Sequence, residues 1–396
     1  NTKQWACEMK IEKIETFRLY PRAVKEAWVN DEYVWPSRFP SFLVKVTSES
    51  GEYGVGEASS QQWYLGETTD QIAECLRIYG QVLRGEDPHN FAHCHHVMEA
   101  AYGGGMPSGR TARSGVDMAL YDLVGKIQCV PVHALLGGAY RTRFELLTNL
   151  YHKTPEEMAT ACSHFVDRGF TGLKIKVGDV LLSQGWSRAN LLAEVDKLDA
   201  ALDVTPRHVY IDADANQGWL SAAWTVATLK RFGHYDNLSI EQPLPYDDLD
   251  GALHVRKRSR VPVILDESVW SATRMAQIAR MQACDRIVLK LNRLGGFFEA
   301  IKVISICDSM GIGVSVDTNP YTLVGDTALC HIAAICRHHY PVDCEGHQSF
   351  LDWGEEFVTG GVLIKGDHAV LPETSGLGVD INWEALVRHQ QIGYDG

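Results

Sequence analysis

Lys174 and Lys176 stand at i and i+2 in the apolar segment 172–178, and Asp212 and Asp214 repeat that spacing in segment 210–216. A period of two puts each pair on one face of a strand. Paired ammonium or carboxylate groups on apolar strands are costly to desolvate unless something uses them. A divalent cation would use the acids, and an activated amine base would use the lysines. Together they suit removal of a proton from carbon, with a metal holding the charge that develops.

The series continues with Glu241, Asp266, Lys290, Asp317 and Glu345, in steps of 24 to 28 residues from Asp214 onward. Each step is about one strand–helix unit. The strand candidates are 145–151, 172–177, 208–213, 238–241, 261–265, 286–291, 311–316 and 340–344, with amphipathic stretches such as 155–168, 189–202, 222–232 and 272–281 between them. Strands alternating with helices in this way predict a closed parallel barrel, whose active site lies at the C-terminal strand ends. An open doubly wound sheet is the structural alternative. Three carboxylates on successive strands form a hard-oxygen cage suited to Mg²⁺ rather than Zn²⁺. Lysines beside it can act as bases if burial, the metal and each other lower their pKa.

The front of the chain has a different rhythm. A strand candidate at 11–19 precedes an aromatic-rich loop at 20–40 and a hairpin pattern at 41–47 and 53–57. Residues 68–136 then read as helical and end at Gly137-Gly138, a helix stop. The expected organisation is an α+β capping domain at 9–140, a barrel at 141–358 and a segment at 359–396 that contains a hairpin and packs back on the cap. The link around 178–190 is longer than its counterparts. Residues 1–8, ahead of Met9-Lys10-Ile11, are expected to be an extension outside the fold.

The segment Lys174-Ile175-Lys176, Asp214 to Trp219, Ile240-Glu241-Gln242-Pro243, Leu265-Asp266-Glu267-Ser268 and Leu289-Lys290 through Gly295-Gly296 resemble the enolase superfamily. Within its mandelate racemase/muconate lactonizing enzyme family they are closest in pattern to the muconate lactonizing enzyme subgroup. Val116 to Asp122 and Leu135 to Gly138 resemble the ending of that family's capping domain. The likeness runs from about Met9 to the C-terminus, and five motifs in order at barrel spacing make it specific.

The resemblance implies an α/β fold, a modified (β/α)7β TIM barrel with an α+β cap. It implies Asp214, Glu241 and Asp266 as Mg²⁺ ligands that hold a substrate carboxylate and stabilise an enediolate. Lys176 and Lys290 would face opposite sides of the α-carbon as acid/base partners, with Lys174 lowering the pKa of Lys176. The mandelate racemase subgroup carries a histidine at the seventh strand end. Ser315 to Pro320 has none, which favours the two-lysine arrangement.

Other polar residues weigh differently. Asn216, Glu267, Asp317 and Glu345 are expected at substrate-binding or supporting positions, with Glu267 turned to the other strand face if the strand is regular. Asp212 sits one layer deeper and is expected to pair with Lys174. His93-Cys94-His95-His96 fans around a helix and cannot converge on one metal. Gly103-Gly104-Gly105 lacks the continuation of a phosphate loop. The aromatic segments carrying Trp28, Tyr33 and Trp35, and Trp63 and Tyr64, would enclose an apolar or cationic substrate if they lie over the barrel mouth.

With 45% hydrophobic and 22% charged residues, the 396-residue chain reads as a globular protein of more than one domain. A net charge of −13 argues against nucleic acid or an anionic membrane as partner. Ten scattered cysteines without a C-x-x-C pair point to free thiols in a reducing, cytoplasmic setting. The opening lacks the shape of a secretory signal. A homo-oligomer acting on a small carboxylate is expected. The leading reaction is racemisation or epimerisation of an amino-acid or betaine-like substrate. Dehydration of a hydroxyproline-like or sugar acid is the alternative, then cycloisomerisation. A catalytically idle binding protein is the rival from another class.

Overall fold

The computed structural model describes residues 9–20, 22–23, 40–60, 62–102, 108–151, 154–317, 321–344, 351–352 and 357–391, with backbone alone at 22–23, 62–63, 351–352 and 391. Trp28, Tyr33, Trp35, Gly103 to Gly105, Glu345 and the Trp63 side chain therefore lie outside the described residues.

The chain opens with β1 (Ile11–Leu19), β2 (Arg22–Ala23), β3 (Ser41–Ser48) and β4 (Tyr53–Ser59). The helices α1 (Gln62–Leu65), α2 (Thr69–Val82), α3 (Phe91–Ala101), α4 (Arg110–Gln128) and α5 (Val132–Leu135) follow. Strands β1, β3 and β4 form an antiparallel sheet in that order. Helix α4 is buried from Thr111 to Gly125 and lies directly on β4. Two glycines permit this approach: a Cβ on Gly54 would come within 2.1 Å of the Ala119 carbonyl, and one on Gly56 within 2.2 Å of the Gly115 carbonyl.

The strand–helix rhythm then begins with β5 (Arg143–Leu150), α6 (Pro155–Asp167), β6 (Gly172–Lys176), α7 (Asp179–Gln184), α8 (Arg188–Val204), β7 (Tyr210–Asp214) and α9 (Ala222–Leu229). It continues with β8 (Leu238–Glu241), α10 (Leu249–Arg258), β9 (Val263–Leu265), α11 (Ala272–Met281), β10 (Arg286–Leu289), α12 (Leu291–Leu294) and α13 (Phe297–Met310). It ends with β11 (Gly313–Val316), α14 (Leu323–Ala334) and β12 (Val342–Asp343). Strands β5 to β11 pair in parallel with their sequence neighbours, and β12 returns to pair in parallel with β5. This ring order is the barrel, and it excludes the doubly wound alternative.

Local sequence explains the regularity. Helices α8, α9, α10 and α11 start on Ser187, Ser221, Asp248 and Ser271, whose side chains each accept a backbone N–H of the first turn. Thr154 and Glu157 form a reciprocal capping box on α6, with Pro155 in its first turn. The long link after β6 holds α7, tied down where the Val180 N–H donates to buried Glu194 at 2.6 Å.

The remainder comprises β13 (Leu351–Asp352), β14 (Val358–Gly360), β15 (Leu363–Lys365), β16 (His368–Val370), β17 (Val379–Ile381) and α15 (Trp383–Gln391). The hairpin β15–β16 pairs antiparallel with Arg143 to Glu145 of β5, just before the stretch of β5 that β12 occupies. Helix α15 lies on the cap instead: the Trp383 ring is 5.3 Å from Phe17 and 5.7 Å from Tyr53. The tail thus meets both layers. Among the described residues no helix is long and apolar enough to cross a membrane.

Candidate active site

Strand register builds the site. Lys174 aligns with Asp212 and Lys176 with Asp214 across β6 and β7, and Asp214 aligns with Glu241 across β7 and β8. Leu173 and Ile175, on the alternate face of β6, join the apolar core. The next groups come from the residue directly after each strand: Asp266 after β9, Lys290 after β10 and Asp317 after β11. Five of these predicted side chains, Glu241, Lys174, Asp317, Lys290 and Asp266, are linked in one chain of buried ion pairs, and Lys176 and Asp214 form a further buried pair beside them.

Lys176 Nζ donates to Asp214 Oδ2 at 2.6 Å and to Asn216 Oδ1 at 3.0 Å. The Asn216 amide reaches Glu267 Oε1 at 3.4 Å, as does the Gln217 amide. Glu267 therefore backs the acids rather than leaving on the far side. The turn carrying these amides is held in the left-handed region, with φ of 40° at Asn216 and 73° at Gln217, a strained backbone of the kind that fixes functional side chains. Gln242, at φ 34°, locks the neighbouring strand end: its Oε1 accepts the Asp266 N–H at 2.9 Å.

Lys174 Nζ bridges Glu241 at 3.2 Å and Asp317 at 2.9 Å. The expected partner, Asp212, instead faces Arg286, whose Nη2 is 3.6 Å away and which lies between the rings of Tyr210 and Tyr340. Lys174 aligns with Asp212 in register, but its long side chain extends to the acids at the strand ends. Lys290 Nζ stands 3.0 Å from Asp317 and 3.6 Å from Asp266.

Burial disfavours charge on Lys174, yet Asp317, Glu241, Asp214 and Asp212 outweigh it and hold its pKa well above the ordinary value. Burial likewise opposes charge on Lys290, but Asp266 and Asp317 raise its pKa. Burial resists ionisation of Asp317, but Lys174 and Lys290 hold its carboxyl well below the usual range. Burial and the neighbouring Asp214 push Glu241 well up. Burial raises Asp212 to about 7, and burial with the Asp266 and Asp214 charges raises Glu267 to about 7.

The donor set fits Mg²⁺. Carboxylate oxygens of Glu241, Asp266 and Asp317 lie within 4.8 Å of one another, all buried, and Glu241 Oε2 accepts no hydrogen bond among the described residues. This set shares Glu241 and Asp266 with the expected ligands and adds Asp317. Asp214 has Oδ2 engaged by Lys176 at 2.6 Å and Oδ1 by the Asn216 N–H at 2.9 Å.

Several site residues were not singled out from sequence. Arg293 donates to Asp266 Oδ1 at 2.6 Å and anchors on the carbonyls of Val269 and Val288. Its signal was available, since it lies three residues after Lys290, within the motif already recognised. Asn149 donates to Asp343 at 2.5 Å, and Asp343 hydrogen-bonds Asp317. Two tyrosine rings lie against the predicted acid/base lysines: Tyr151, with its centre 5.4 Å from Lys176 Nζ, and Tyr64, already named in its aromatic segment, with its centre 5.1 Å from Lys290 Nζ. The histidine cluster diverges, His93 meeting Glu86 and His95 meeting Asp117.

Comparison with known proteins agrees with this fold. Residues 37–137 match the mandelate racemase/muconate lactonizing enzyme N-terminal domain, and residues 157–385 match the enolase C-terminal domain-like family. The N-succinyl-L-Arg/Lys racemase of Bacillus cereus is 29% identical over 88% of this chain and 90% of that protein. Its crystal structure covers 96% of this chain and 97% of its own, with a TM-score of 0.85 at 27% identity. The dipeptide epimerase of Enterococcus faecalis, solved with Mg and the dipeptide L-Leu-L-Tyr, covers 94% of this chain and 99% of its own, with a TM-score of 0.82 at 26% identity. A cis-3-hydroxy-L-proline dehydratase of Roseibium aggregatum is 28% identical over 83% of this chain and 84% of that protein. With both domain matches in order and the acids and lysines at the strand ends, the chain belongs to the mandelate racemase/muconate lactonizing enzyme family of the enolase superfamily.

Proposed function

We propose that this protein is a Mg²⁺-dependent racemase or epimerase that moves the α-proton of a small amino-acid-derived carboxylate. The observation that carries the reading is the presence of two lysines at separate strand ends, each tied to different site acids: Lys176 to Asp214, and Lys290 to Asp317 and Asp266. Bound by Glu241 and Asp266 with Asp214 or Asp317, Mg²⁺ would supply the charge that stabilises the substrate carboxylate once its α-proton has left. Lys176 and Lys290 take the proton from one face and return one to the other. Lys174, held charged by its acids, keeps a positive group beside the substrate carboxylate. Asn216 orients Lys176, and Glu267 supports Asn216.

The division into a cap at 9–140, a barrel at 141–358 and a returning segment at 359–396 is part of the same reading. So is placement of Trp28, Trp35, Trp63 and Glu345 around the substrate. An N-acylated amino acid, a dipeptide or a proline betaine suits such a site. The named activities of the racemase and epimerase relatives support this class.

The test is a screen of N-succinyl amino acids, dipeptides, proline betaines and sugar acids with Mg²⁺ in D₂O. Deuterium entering the α-position without net loss of substrate supports the reading. Conversion to a keto product selects dehydration, the reaction named for the hydroxyproline relative. No exchange with any class of carboxylate overturns proton abstraction altogether.

A further inference from the structure

We propose that Tyr64 is a positioning residue that couples the seating of α1 in the cap to metal binding in the barrel. The inference rests on the proposed function only in taking Asp266 as a metal ligand.

Tyr64 is the third residue of α1, yet among the described residues its hydroxyl bonds to the barrel. Its hydroxyl donates to Asp266 Oδ2 and accepts from Arg293 Nη1 at 2.9 Å. Its ring lies over Lys290 Nζ. One side chain of the cap therefore touches a ligand carboxylate, the arginine that holds the other oxygen of that carboxylate, and a lysine of the site. Arg293 is fixed to the barrel through the carbonyls of Val269 and Val288, so it forms a rigid socket for the phenol.

The consequence is reciprocal. Groups that orient a ligand raise metal affinity, and their loss costs 10- to 100-fold. By linkage, metal binding must then stabilise the seated form of α1 by the same factor. The Tyr64 contact alone thus registers α1 against the metal ligand Asp266.

The experiment uses Mn²⁺ as the probe, followed by electron paramagnetic resonance, with amide hydrogen exchange of the 60–66 segment read with and without Mn²⁺. Wild-type protein is compared with Tyr64→Phe, which keeps the ring, and with Asp266→Asn. The expected result is about tenfold weaker Mn²⁺ binding in Tyr64→Phe. Mn²⁺ should also slow exchange in 60–66 in the wild type but not in Tyr64→Phe. A merely structural role would change exchange equally with and without metal. Unchanged Mn²⁺ affinity and metal-dependent protection in Tyr64→Phe would overturn the proposal. So would unchanged Mn²⁺ affinity in Asp266→Asn. Absence of substrate exchange in the D₂O screen, with these Mn²⁺ results intact, would overturn the proposed reaction and leave the coupling standing.

Discussion

Asp317 sits between two buried ammonium groups, Lys174 at 2.9 Å and Lys290 at 3.0 Å, and carries a carboxyl held firmly ionised by both. Removing one partner of a buried ion pair costs about 3–5 kcal/mol, because the remaining charge keeps its desolvation penalty. Asp317→Asn is expected to lose stability in that range in urea denaturation, and a loss under about 1 kcal/mol would contradict the network. At this scale the sequence was informative where chemistry repeats at strand spacing: Lys174, Lys176, Asp214, Glu241, Asp266, Lys290 and Asp317 were all singled out from it. Partners that meet across strands were harder to read. Register places Lys174 beside Asp212, but its ion pairs are with Glu241 and Asp317, because a long side chain reaches acids on strands that the local sequence does not show as neighbours. Arg293 lies within the segment from Leu289 to Gly296 that carries the resemblance, but its reach to Asp266 depends on the fold.

Between elements, the cap and barrel are joined by buried polar latches. Glu57 on β4 accepts from the Ser41 hydroxyl and from the N–H groups of Thr322 and Gly325 at the start of α14. A second latch is His331 on α14. Its Nδ1 accepts the His133 N–H of α5 at 3.2 Å, and its Nε2 faces the Leu377 carbonyl at 3.3 Å. Both contacts suit the neutral ring with its proton on Nε2. Burial lowers the His331 pKa to about 3. Between that value and the ordinary histidine range, the unfolded chain binds a proton that the folded chain does not. The His331 contribution to stability is therefore complete above about pH 6.5 and falls by about 1.4 kcal/mol per pH unit below it. Asp212 and Glu267, with carboxyls raised to about 7, tilt stability the other way over the same range, so the His331 contribution is read as the difference between the slopes of wild type and His331→Gln from denaturation at pH 7 and pH 5.5. Equal slopes would assign the loss to other groups. The strand–helix rhythm was legible because short apolar runs alternate with amphipathic stretches along the chain. Helix α7 was visible only as an overlong link, since its six residues are too few for a periodic pattern. The pairing of the terminal hairpin with β5 depends on a contact between distant parts of the chain, which no local pattern encodes.

Over the whole molecule, the strand ends bring together a set of acids whose mutual repulsion a cation relieves. A ligand that binds only the folded state stabilises it by about 2.7 kcal/mol at 100 times its Kd. Mg²⁺ is therefore expected to raise the denaturation midpoint of the wild type and to leave that of Glu241→Gln nearly unchanged. A rise of the same size in both would place the ion elsewhere. The ring of β5 to β12 fixes the two lysines on different strands, and Tyr64 of the cap lies over Lys290. The central claim is that these lysines divide the work by face. The most direct measurement is enantiomer-resolved α-proton exchange in D₂O with Mg²⁺, using the substrate found in the screen. The account predicts that Lys176→Ala loses exchange from one enantiomer by about 10²- to 10⁴-fold while retaining exchange from the other, and that Lys290→Ala shows the opposite pattern. Loss of exchange from the same enantiomer in both variants, or full exchange from both enantiomers in either one, would contradict it.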